Sequence, residues 1–163
     1  MNEMNGHDVE DLHVGMRATF SKTITEADIV LFAGISGDNN ALHMNEEFAA
    51  TTHFGGRIAH GFLTASVISA AVANRLPGPG TIYLSQQLNF RAPVRIGQTV
   101  HACVSVSAID HARRRVTLDT VCRVGETVVI DGQALVMTTS SAKRQPALVT
   151  AMTAAVVPAA SLV

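Results

Sequence analysis

Between Arg57 and Arg75 the chain carries no formally charged residue, and Phe62 to Ala73 within that stretch is apolar or small throughout. Read as a helix it has no polar face, so it must be covered on all sides. It is too short and too dotted with serine and threonine to cross a bilayer. The rest of the chain therefore has to enclose it, and Pro77-Gly78-Pro79-Gly80 closes it firmly.

Beyond those prolines the pattern changes to period two. Residues 81–90, 99–109, 115–123 and 127–138 read as strands, punctuated by Pro93 and Gly97, by Asp110-His111 and by Gly125-Glu126. A leading strand is expected over 14–24. Thr25 then caps a short helix ending near Gly34, with Glu26 and Asp28 in its first turn. A polar loop from Ser36 to Met44 and a second short helix from Glu46 to Ala50 follow. The expected architecture is α+β: an antiparallel sheet of about five strands wrapped around one long central helix, the hot-dog arrangement. A curved open sheet leaves bare edges, so a homodimer is expected, joined by strand pairing or by helix faces.

A chain of 163 residues fits one domain. That domain is placed at residues 1–140, and residues 141–163 form an Ala/Val-rich tail of open role. A net charge of −1 supplies no electrostatic footprint for nucleic acid, so none is expected as a partner. No apolar signal core and no membrane span are read. Cys103 and Cys122 lie apart within apolar runs, as two reduced, buried thiols of a cytoplasmic protein would. Arg113-Arg114-Arg115 reads as a solvated hairpin turn, with a phosphate-bearing ligand as the alternative.

The loop carries the chemistry. Asp38 and His43 stand five residues apart in Ser36-Gly37-Asp38-Asn39-Asn40-Ala41-Leu42-His43. Either alone reads as a turn residue or a structural histidine. Together they can aim a carboxylate and an imidazole into one pocket, with Asn40 as turn former or as orienting hydrogen-bond partner. Gly61 falls where the buried helix begins, so its N–H has no intrahelical partner and meets the positive end of the dipole. With no side chain there, a ligand oxygen can approach the backbone closely. Ser69, on a stripe of small residues with Ala65, either bonds the carbonyl four residues back or points into the site. A metal set of His43, His53 and His60 lacks ligand spacing and a nearby carboxylate, so no metal is expected.

Several of these motifs, in this order, resemble one family. Ser36-Gly37-Asp38-x-Asn40-x-Leu42-His43, then Ala49-Ala50-Thr51-Thr52-x-Phe54, Ile58-x-His60-Gly61 and Ser69 are similar to the hydratase-2 signature of MaoC-like dehydratases. Among these the chain looks most like the (R)-specific enoyl-CoA hydratases of polyhydroxyalkanoate-producing bacteria, over about residues 12–138. One departure is Ala41, where the family usually has proline.

The resemblance implies a hot-dog homodimer that adds water to trans-2-enoyl-CoA, giving (R)-3-hydroxyacyl-CoA. It implies Asp38 and His43 as the catalytic pair, Ser69 in the site, and the Gly61 N–H binding the thioester oxygen. Our preferred split makes His43 the base and Asp38 the acid, with a shared role as the alternative. Coenzyme A enters only as part of the substrate; no cofactor is implied. Val72 and Val136 are expected to line the acyl tunnel. An acyl-CoA thioesterase and a non-catalytic acyl-CoA-binding hot dog are the competing readings. The first usually sets an acid on the buried helix or its approach, and residues 58–74 contain none.

Overall fold

The computed structural model describes residues 6–143. Most of the expected tail, residues 144–163, lies outside the described residues. Ahead of the buried helix come β1 (Arg17–Thr23), α1 (Glu26–Ser36), α2 (Ala41–Met44) and α3 (Glu46–Ala50). The buried helix is α4 (Gly61–Asn74). Strands β2 (Ile82–Phe90), β3 (Thr99–Asp110), β4 (Arg115–Val124) and β5 (Thr127–Met137) complete the chain.

All neighbouring strands run antiparallel in one sheet of order β1-β3-β4-β5-β2. This is the hot-dog arrangement expected from the pattern. The strand that follows the helix pairs with the last strand, so β1 and β2 are left as the two edges. Helix α4 lies against β1, β3 and β4. Alternate residues of β3, namely Val100, Ala102, Val104 and Val106, face the helix side of the core, as do Val116, Leu118 and Cys122 on β4. Burial pushes the Cys122 thiol up to about 12, so it behaves as an inert apolar group, and both cysteines are free. Cys103 is only half-buried, which corrects the expectation that both thiols are enclosed.

Three further expectations need correction. First, α1 does not end near Gly34. It continues to Ser36 and stops at Gly37, whose φ of 77° is the left-handed cap conformation, with its N–H donating to the Ala33 carbonyl. A glycine inside a helix costs only about 1 kcal/mol, so Gly34 cannot stop it. Second, residues 36–44 are not all loop. The Asn40 side chain accepts the Leu42 N–H at 3.0 Å, and the chain closes one helical turn that carries His43. Third, α4 is not covered all round. Leu63, Thr64, Val67, Ile68, Ala71 and Val72 are buried, while Gly61, Phe62, Ser66 and Ser69 are exposed. The arginine run is a hairpin turn: Arg113 faces Asp110 at 3.6 Å, and Arg114 takes a φ of 56°. No helix among the described residues is long and apolar enough to cross a membrane.

Candidate active site

The segment between α1 and α4 folds back over the start of the central helix. Arg57 anchors that return, its Nε donating to the His43 carbonyl at 2.6 Å and its Nη2 to Glu26 on α1 at 2.8 Å. His43 is thereby brought beside the chain that enters α4. Its Nδ1 lies 2.9 Å from the Ile58 carbonyl. A carbonyl can only accept, so Nδ1 carries the hydrogen and Nε2 keeps its lone pair. The residue is 9% exposed and lines a cavity.

Asp38 sits on the exposed turn after α1. Its N–H reaches the Ser36 hydroxyl oxygen at 3.1 Å, and its Oδ1 accepts the Asn40 N–H at 3.2 Å. Asn40 therefore orders the pair through its own backbone and its capping oxygen. One carboxylate oxygen of Asp38 and one ring nitrogen each of His43 and His60 lie within 4.8 Å of one another. The trio that assembles thus includes Asp38 and omits His53, whose ring stacks on Phe54 instead. Such a trio invites a metal. However, His43 and His60 are stacked with centroids 3.9 Å apart and planes 36° from parallel. Each ring also has one nitrogen already engaged with a main-chain carbonyl, His43 Nδ1 with Ile58 and His60 Nε2 with Asp38, both at 2.9 Å.

A cavity of about 260 Å³ opens beside His43, lined also by Phe54, Ile58, Gly61, Thr64, Phe90 and Ile130. Its floor is the start of α4. No side chain caps that helix, so the Gly61 N–H is free of intrahelical acceptors at the positive end of the dipole. A Cβ on Gly61 would stand 2.8 Å from Phe90 Cε1, so any larger residue there must push that ring aside. At the cavity mouth Arg91 bonds Asp131 at 2.7 Å, which holds the Asp131 carboxyl below the usual carboxylate range.

The remaining predicted residues fall elsewhere. Ser69 is on the exposed face of α4, in a second groove of about 370 Å³ with Phe62, Ala65, Ser66, Tyr83, Gln86 and Leu88. The serine that bonds back along the helix is Ser66, to the Leu63 carbonyl at 2.6 Å. Val72 and Val136 are sealed in the core and line neither cavity. They face the packed side of α4, which a uniformly apolar helix gave no means to foresee. Sequence reasoning missed Phe90, Thr64 and Arg57. Phe90 and Arg57 come from distant segments, so no local pattern marked them.

These features are matched in known proteins. The family described as "MaoC like domain" matches residues 12–129. The chain belongs to the MaoC-like family. It is 53% identical to the (R)-specific enoyl-CoA hydratase of Rhodospirillum rubrum over 80% of this chain and 91% of that one. It is 51% identical to the 3-hydroxybutyryl-CoA dehydratase of Methylorubrum extorquens, covering 84% of this chain and 87% of that one. The unliganded R-hydratase of Pseudomonas aeruginosa superimposes with a TM-score of 0.79 at 40% identity, covering 84% of this chain and 88% of that one. This MaoC-like protein is a hydro-lyase of the hydratase type.

Proposed function

We propose that this MaoC-like protein is an (R)-specific enoyl-CoA hydratase, converting trans-2-enoyl-CoA and water into (R)-3-hydroxyacyl-CoA. The supporting observation is one convergence: an Asp38 carboxylate oxygen lies within 4.8 Å of a ring nitrogen of His43, and His43 shares one cavity with the uncapped start of α4. The Gly61 N–H and the helix dipole polarise the thioester carbonyl, making C3 electrophilic and stabilising enolate charge. A water held between His43 and Asp38 gives its proton to His43 Nε2 as its oxygen bonds C3. In this scheme Asp38 starts the cycle as the carboxylic acid and delivers its proton to C2, and the proton on His43 then passes to the Asp38 carboxylate, restoring both groups. No cofactor or metal takes part, and coenzyme A enters as part of the substrate.

The acyl chain would run from Gly61 along the small stripe Gly61, Ala65 and Ser69 into the second groove. We also infer that a second copy closes it. Phe62 is 67% exposed, Ile82 53%, Leu84 43% and Phe90 51%, along one helix face and the unpaired edge β2. Light scattering should give twice the chain mass. The free thiol pair suits work in the cytoplasm.

The deciding experiment follows the enoyl-thioester absorbance of crotonyl-CoA with the purified protein, then resolves the alcohol on a chiral column. Loss of absorbance with the (R) alcohol supports the assignment. Release of free coenzyme A thiol instead would make the protein a thioesterase. No change with short or medium enoyl-CoA would reduce it to a binding protein.

A further inference from the structure

His60 is the one imidazole of the cluster that neither touches the cavity nor faces solvent, being 1% exposed. Its Nε2 lies 2.9 Å from the main-chain carbonyl of Asp38, across 22 residues of sequence. The carbonyl must accept, so Nε2 carries the hydrogen. Its Nδ1 is buried and finds no hydrogen-bond partner among the described residues. In the neutral ring that nitrogen holds the lone pair. One face of the ring covers His43 at 3.9 Å between centroids, and Phe32 of α1 packs on it at 5.0 Å. Its own backbone is the N-cap of α4, immediately before Gly61, and its carbonyl accepts the Thr64 N–H at 3.1 Å.

One buried residue therefore touches Asp38 and His43 with its side chain and the start of α4 with its backbone, without lining the cavity. Asp38 needs such an anchor, because its turn is exposed and its bonds to Ser36 and Asn40 are both local. A stack on His43 fixes that ring in a plane that its single bond to Ile58 leaves free to pivot. The neutral ring face also favours the positive charge that forms on His43 when it takes the water proton.

We propose that His60 is a positioning residue, which holds Asp38 by its main-chain carbonyl and His43 by its ring face during proton transfer. The inference rests on the hydratase reading of the site. Its test separates the two contacts. His60→Phe keeps the ring over His43 and loses the N–H; His60→Gln keeps an N–H at the Nε2 position and loses the ring. Misplacing a reacting group by about 1 Å costs roughly 10²-fold. With crotonyl-CoA, His60→Phe is expected to lower kcat by about 10- to 100-fold, with KM within a factor of about two. Thermal unfolding should stay near that of the wild type. His60→Gln should recover part of kcat relative to His60→Phe.

Wild-type kcat in His60→Phe would overturn the proposal. So would a loss confined to KM, or a His60→Gln variant no better than His60→Phe. Ring-nitrogen NMR spectra of the wild type provide a readout that needs neither turnover nor a folded variant. Hydrogen on Nε2 alone in His60 and on Nδ1 alone in His43 supports the arrangement; His60 carrying hydrogen on Nδ1 refutes it. A wild type with the expected ring spectra but no hydration of enoyl-CoA would sink the hydratase reading and leave the anchoring geometry intact.

Discussion

The two faces of α4 have nearly the same chemistry and different fates. One face, with Leu63, Val67, Ile68, Ala71 and Val72, is sealed against the sheet. The other, with Gly61, Phe62, Ala65, Ser66 and Ser69, lies open along two cavities. The sealed face, Ala71 apart, is built of branched residues, and the open one, Phe62 apart, of small ones. Branched side chains fill space, whereas small ones leave room for a ligand or another chain. An apolar helix can thus serve as core on one side and as the floor of a site on the other, and its lack of charge conceals the difference.

If that division holds, changes on the sealed face affect stability and changes along the open face affect rate. The largest expected effect is on the sealed side. Ile68→Ala should cost about 2–5 kcal/mol in urea unfolding, while kcat stays near wild type wherever the variant is folded. A variant with full stability but lost activity would break the comparison. At the head of the open face, Asp38→Asn and His43→Ala should each lose at least about 10²-fold in kcat, with unfolding curves that overlay the wild type. Near-normal hydration by either would remove both from the mechanism.

Gly61→Ala sharpens the boundary between the faces. The new methyl must displace the half-exposed Phe90 ring from the cavity wall, a shift the fold can absorb. We expect roughly a tenfold fall in kcat/KM with little change in melting temperature. The smallest effect lies off the helix, at the cavity mouth. Hydrogen bonds from Arg91 and Asn89 hold Asp131 below the ordinary carboxylate value of 3.8. A lowered carboxyl stabilises the fold above that value, and the contribution disappears as pH falls through the lowered one. Asp131→Asn should therefore lower stability slightly at pH 7 and leave it unchanged below the lowered value, so that the acid limb of the stability–pH curve flattens. An equal loss at acid and neutral pH would show that the pair does more than hold an ionised carboxylate.

Much of the molecule was legible before folding. Strand limits were read to within one or two residues for β2 to β5, because period-two alternation is a local property. Asp38 and His43 were legible as a pair because they share one short segment, and Gly61 because helix ends declare themselves by capping chemistry. The end of α1 was misread because two glycines competed and only backbone geometry distinguishes them. Ser69 was assigned to the site and Val72 and Val136 to the acyl tunnel, yet Ser69 lies in an open groove and the two valines are sealed. Spacing tells which residues share a helix face, not which face the sheet covers.

The amino-acid order alone determined a sheet around an uncharged helix, and a carboxylate and an imidazole in the turn before it. Those features depend on neighbours a few residues apart, where periodicity and capping operate. Tertiary structure alone decided that His60 would bond Asp38 and stack on His43, that Phe90 would press on Gly61, and that one face of α4 would remain open. Each of these joins segments brought together only by burial of the sheet against the helix. Core formation is collective, and no short stretch of sequence carries a record of what it will pack against.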